Sequence, residues 1–217
     1  MDTKLQTSLL LILGPIVSFA AWMLIYPGED SGDFPKDAAA LIADPDAAQI
    51  GIILGFGGMA AALVGLFNIS RRITMGGGAG SSYANIATVL SLVGVAVMFM
   101  GVAFEFATAN AASVRDGATL LMVGYAGGDA FFPLGMGVLL ALVGIAIALE
   151  KTYQIKNLPI VPVLIAIAGA AMIVGFFVGS FSNETGDNGD NLFGMIGWMG
   201  WMLSSVVLGV LRLRASD

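Results

Sequence analysis

A chain of 217 residues that is 58% hydrophobic and only 11% charged, with mean hydropathy +0.91 and formal net charge −6, is built for a bilayer. Soluble domains carry roughly 25% charged residues, so this composition cannot cover a surface that faces water. Cysteine and histidine are both absent, which excludes disulfides, thiolate metal sites, bis-His haem, His-based zinc or copper centres and imidazole acid–base chemistry.

Six apolar segments approach the length a bilayer demands, about 20 residues at 1.5 Å each. They are Leu5–Tyr26, Ala48–Ile69, Tyr83–Ala107, Ala130–Leu149, Leu158–Phe181 and Leu192–Leu213. None shows the period-2 alternation of a membrane barrel. The sequence therefore predicts an all-α, polytopic helical bundle: one membrane domain over 1–217 with six transmembrane helices, short interfacial helices in the outer loops, and no cofactor. The first segment is too long for a signal-peptide core and no small-x-small cleavage site follows it, so it is expected to remain as the first helix.

Between segments one and two, "PGEDSGDFPKDAAALIADPDA" opens with a Pro-Gly turn. Pro35 sits where a short helix can begin, with Asp37 in its first turn. Ala39, Leu41 and Ile42 give that helix one apolar face, which suits the outer membrane surface. The inner connection "SRRITMGGGAGSS" reads as a flexible Gly/Ser linker. The second outer loop, Thr108 to Gly128, holds "ATLLMVGYAGG", too short to span, so it lies at the interface or dips in and returns. The third, "SNETGDNGDN", is a polar loop.

Counting basic residues orients the chain. With the N-terminus cytoplasmic, Lys4, Arg71, Arg72, Lys151, Lys156, Arg212 and Arg214 fall inside and only Lys36 and Arg115 outside. This is a positive-inside bias, and it predicts a multi-pass protein of the cell membrane with both termini cytoplasmic. The carboxylates sort oppositely, leaving the outer face at about −10 and the inner at about +4, consistent with the total of −6.

Asp129 and Glu105 are the charges that come nearest the spans, and an ionisable residue there is a candidate site. Asp129 follows Gly127-Gly128 and immediately precedes the fourth segment, at an N-cap position. Pro133 lacks the N–H that would bond back to residue 129, so the helix either starts capped at Asp129 or begins at Pro133 after a non-helical, cavity-lining strip. Glu105 lies about 33 Å above Tyr83, at the outer interface. There it snorkels into outer water, pairs with Arg115, or joins Asp129 in a cation or proton vestibule. No charge falls at a midplane, which argues against a carrier with a central carboxylate, and the span interiors lack lysine, which excludes a retinal Schiff base.

Small residues mark helix faces: Ala171, Gly175 and Gly179; Gly51 and Gly55; Gly137, Ala141, Gly144 and Ala148. Such stripes let backbones approach, within the chain or against a partner. Gly175, Gly179, Trp198 and Trp201 are the candidate partner-packing residues. "DNGDN" at Asp187–Asn191 offers hard oxygen ligands but lacks a full calcium loop, so no metal site is assigned. "NET" makes Asn183 a candidate glycosylation site on the outer side, whereas "NIS" at Asn68–Ser70 lies inside.

Over about residues 15–72, the order of first span, "YPGED…FPKDAAALIADPDA", second span and "SRR" resembles that of small uncharacterised multi-span prokaryotic membrane proteins of unknown function. The resemblance implies the same architecture and carries no catalytic residues. The expected function is that of a non-enzymatic accessory or scaffolding subunit, whose partners are the lipid bilayer and other membrane subunits or further copies of itself, with no nucleic acid. The alternative is a small transporter or channel with an anionic outer vestibule near Glu105 and Asp129. An enzyme is disfavoured, because two carboxylates would have to do all the chemistry.

Overall fold

The computed structural model describes residues 4–28, 33–130, 134–182 and 192–215. Its helices are α1 (Lys4–Leu24), α2 (Phe34–Ala43), α3 (Pro45–Gly76), α4 (Ser81–Ala109), α5 (Val114–Ala130), α6 (Met136–Leu149), α7 (Ile160–Ser182) and α8 (Leu192–Arg214). Among the described residues the one β-type pairing is an isolated bridge, Ile155 to Leu158, in the α6–α7 connection. Five helices, α1, α3, α4, α7 and α8, are long and apolar enough to cross a membrane. The chain is a membrane-embedded helical bundle.

Local chemistry sets the boundaries. Asp33 caps α2 by accepting from the Lys36 N–H at 3.2 Å, with Pro35 in the first turn. Asp44 caps α3 by accepting from the Ala47 N–H at 3.1 Å, and Pro45 takes the first helical position. A residue before proline avoids the α region, so Asp44 (φ −136°, ψ 76°) breaks what would otherwise be one continuous helix. At the far end Gly77 closes α3 at φ 65°, a left-handed conformation that suits glycine.

Two expectations are corrected here. Ser70–Gly76 are helical, so the supposed Gly/Ser linker shrinks to the four-residue turn 77–80, tied down where the Gly80 N–H donates to Glu150 Oε1 at 2.7 Å. The second loop, by contrast, is mostly helix, as expected of the outer loops: α5 is 17 residues long. The fourth segment does not begin a new helix at Ala130: that residue is helical within α5, and α6 runs Met136–Leu149, 14 residues or about 21 Å against a core of about 30 Å. Pro133 lies outside the described residues.

Six helices form a closed ring. α3 packs between α1 and α4, α4 meets α6, α7 packs between α6 and α8, and α8 returns to α1. α2 and α5 pack on each other and on α4. The core draws on every helix of the ring, through Leu11, Leu63, Met98, Leu140, Ile165 and Trp201. Short as it is, α6 buries Met136, Leu139, Leu140, Val143 and Ile147.

The ring separates two ends. At one, Lys4 Nζ donates to the Ala215 carbonyl, Asn68 Nδ2 donates to Thr7 Oγ1 at 3.2 Å, and Gly80 meets Glu150. Lys4, Arg71, Arg72, Lys151, Lys156, Arg212 and Arg214 all belong to this basic end. At the other, acidic end Gln49 Nε2 donates to Asn110 Oδ1 at 3.4 Å, and α2 and α5 gather over the last turns of α4.

Backbone approach holds neighbours together. A Cβ on Gly14 of α1 would stand 2.6 Å from the Gly58 carbonyl of α3, and one on Gly58 would meet the Gly14 carbonyl in return. Gly57, the adjacent residue, has nothing within 4 Å of such an atom. We expect Gly58→Val to destabilise the bundle by about 1–3 kcal/mol or more through overpacking, while Gly57→Val is near neutral. Unfolding in mixed micelles of denaturing detergent measures the difference, and equal effects would contradict the packing described.

Candidate functional site

Charge inside the bundle is confined to its ends, and the acidic end is where α2, α4 and α5 meet. Gly117 of α5 makes the junction: a Cβ there would lie 3.2 Å from Ala38 of α2 and 3.3 Å from Thr108 of α4. The Thr108 hydroxyl donates to its own helix at Phe104 O (2.9 Å), with Gly117 O at 3.4 Å. Two turns further along α5, Gly124 lies against Phe104. Phe34 of α2 and Tyr125 of α5 meet edge to face at 5.6 Å. Thus α5 lies along the last two turns of α4 and covers them.

Glu105 sits on α4 between Phe104 and Thr108, the points that touch α5, and is only 6% exposed. Arg115, at the start of α5, is exposed. Of the readings the sequence left open for Glu105, an acid reaching into outer water does not match its burial. Height along α4 was read from the sequence, but the cover that α5 provides was not. Asp37 of α2 is also buried, 7% exposed, although its sequence position marked only a helix first turn. Two buried carboxylates on adjoining helices can hold a proton or a cation, or serve as hydrogen-bond acceptors that lock α2, α4 and α5 together.

Asp129 lies in the last turn of α5, with helical backbone on both sides. It does not cap the next helix, and residues 128–130 are not a non-helical strip. Its side chain lies outside the described residues, and with it any contact to Glu105.

The partner-packing candidates are largely consumed within the chain. Trp201 is 1% exposed, in the core, and Gly175 is buried. Trp198 is half-buried, its ring 6.5 Å from that of Phe19 on α1. Gly179 lies in α7, and Asn183 and the "DNGDN" stretch lie outside the described residues. Among the described residues no three acids group as a metal site.

One feature of the lipid-depth surface escaped the sequence reading. A groove of about 230 Å³ runs between α1 and α3, lined by Leu13, Val17, Ile53, Leu54, Gly57 and Ala61. Gly51, Gly55, Gly58 and Gly65 of α3 abut Tyr26, Trp22, Gly14 and Leu11, whereas Gly57 opens into the groove. The Gly57-x3-Ala61 spacing was legible, but six glycines on one helix hide which of them faces outward.

We expect Glu105→Ala to cost about 1–3 kcal/mol, as removal of a buried polar group that its neighbours engage, and Arg115→Ala to stay within about 0.5 kcal/mol. Chemical unfolding of the purified variants compares the two, and equal stability would place Glu105 at the surface. Neither a protein-family model, nor a curated protein, nor a solved structure matches the chain.

Proposed function

We propose that this chain is a non-catalytic accessory or scaffolding subunit of a membrane assembly, a six-pass bundle whose lipid-depth groove receives a transmembrane helix of another subunit. The observation that carries this reading is Gly57. In hydrocarbon, association depends on backbones coming close, and small residues on a helix surface permit it. α3 uses its other midsection glycines against α1, yet keeps Gly57 open beside Ala61. Acyl chains have no need of that opening; a helix backbone does. The groove is apolar and at membrane depth, so its occupant is an apolar helix with a small-residue face of its own.

In the six-pass reading α6 is the short span, and both ends of the chain are cytoplasmic. Support comes from the seven basic residues gathered at one end and from the Lys4 contact to Ala215, which brings the first and last helices to the same level. A second reading, a small transporter or channel, draws on the burial of Glu105 and Asp37 at the acidic end.

Two experiments test these readings. The chain has no cysteine, so Met75→Cys, at an exposed position of the basic end, and Ala112→Cys, exposed at the acidic end, can be labelled singly. We expect a membrane-impermeant maleimide to reach residue 112 in intact cells and residue 75 only after permeabilisation; the reverse pattern would invert the protein. In gentle detergent the native chain should run as a complex, and Gly57→Phe should release the monomer. Ile86→Phe, at a lipid-facing site 53% exposed, should leave the complex whole. A complex of twice the chain mass would make the occupant a second copy. A native chain that extracts as a monomer would remove the subunit reading and favour the transporter.

A further inference from the structure

Three arginines converge on one cavity at the basic end. Arg72 comes from the last turns of α3, Arg212 and Arg214 from the last turn of α8, and the α6–α7 connection supplies the facing wall. The cavity measures about 540 Å³, ample for a phosphate group with its ester substituents. Thr152, Tyr153 and Gln154 contribute neutral polar groups, and Leu211 and Ile73 apolar ones. Glu150 is the one acid among the described lining residues, and its Oε1 already accepts the Gly80 N–H at 2.7 Å. The described lining therefore keeps an excess of positive charge.

Arg212 separates this cavity from an ordinary basic helix end. Arg71, Arg72 and Arg214 are exposed, as residues that serve only to orient a membrane protein should be. Arg212 is 5% exposed, and its Nε has no hydrogen-bond partner among the described residues. Placing a cation near the negative end of α8 returns about 0.3–1 kcal/mol. Burying an ion costs several kcal/mol when nothing pairs with it. The helix end alone does not offset that cost, whereas an anion against the guanidinium would. A planar guanidinium matches two oxygens of a phosphate, and basic pockets between spanning helices are suited to phosphate head groups.

We propose that this cavity binds a phosphate-ester anion, with Arg212 at its buried wall and Arg72 and Arg214 at its exposed rim. The same chemistry is presented by the head group of an anionic phospholipid in the adjoining leaflet and by free phosphate. The proposal stands independently of the α1–α3 groove, and the substitutions that test it leave Gly57 untouched.

The full-length protein is purified in a neutral detergent, delipidated, and given phosphatidylglycerol, phosphatidylcholine or millimolar inorganic phosphate. Native mass spectrometry reads adducts, and thermal unfolding reads stabilisation, since a ligand of the folded state raises its stability by mass action. The expected result is a one-to-one phosphatidylglycerol adduct that raises Tm, with phosphatidylcholine weaker by about tenfold or more. If inorganic phosphate also raises Tm, the source is free phosphate; if phosphatidylglycerol alone does, it is lipid. Arg212→Gln and Arg72→Gln should each weaken binding by about tenfold or more, and Arg71→Gln, outside the lining, should not. Because Arg72 is exposed, its variant keeps the test valid even if Arg212→Gln fails to fold. No adduct with any probe, equal binding of both lipids, or native-like binding by Arg72→Gln would each overturn the proposal.

Discussion

Acyl chains are as apolar as leucine, so no hydrophobic pressure squeezes membrane helices together, and their association rests on how closely their backbones can approach. In this bundle the approach is made by paired glycines. Gly14 of α1 faces Gly58 of α3, and a Cβ on Gly137 of α6 would lie 2.7 Å from the Gly169 carbonyl of α7. Each pair removes two side chains from the seam and lets carbonyls touch the neighbouring helix. Between those contacts, the side chains of Leu11, Leu63, Leu140 and Trp201 fill the interior of the ring. Pro15, the next residue in α1, is also buried.

A bundle held by close packing leaves its charge to the ends, and the exceptions there are informative. Most end charges are exposed and are screened over about 10 Å in physiological salt. Glu105, Asp37 and Arg212 are not exposed. Helix cover accounts for the first two, because α2 and α5 fold over the end of α4 and enclose what a bare helix end would leave in water. Arg212 is enclosed differently, beside a cavity large enough to hold a molecule. The two ends therefore differ in kind. One is sealed by short helices over carboxylates, and the other is open and lined by guanidinium groups.

Seen in this way, the lipid-facing surface is not uniform. Leu24, Phe99 and Met100 project from it as bulky exposed residues. Along α1 and α3 the projection stops at Gly57, and the surface becomes concave. On the proposed reading, the concave apolar seam would meet a protein neighbour and the basic cavity a charged leaflet, two contacts on different parts of the bundle. Neither requires reactive chemistry, consistent with a chain that contains neither cysteine nor histidine.

By itself the sequence determined that this is a helical membrane protein, where five of its long helices run, and how its basic and acidic residues divide. Hydropathy over about 20 residues and the strength of caps such as Asp33 and Asp44 are local properties, readable without a fold. It did not determine which apolar residues form the core, because in lipid the outward face of a helix is as apolar as the inward one and leaves no 3.6-residue contrast to read. Leu63 is buried and Leu203 is 63% exposed, with nothing in their neighbourhoods to tell them apart. The tertiary structure decided that Ser70–Gly76 extend α3 and that α5 encloses Glu105. It also decided that Trp201 turns inward, and that Arg212 is buried while Arg72 and Arg214 are not. Each of these depends on a neighbouring helix distant in sequence, and only packing brings that neighbour into place.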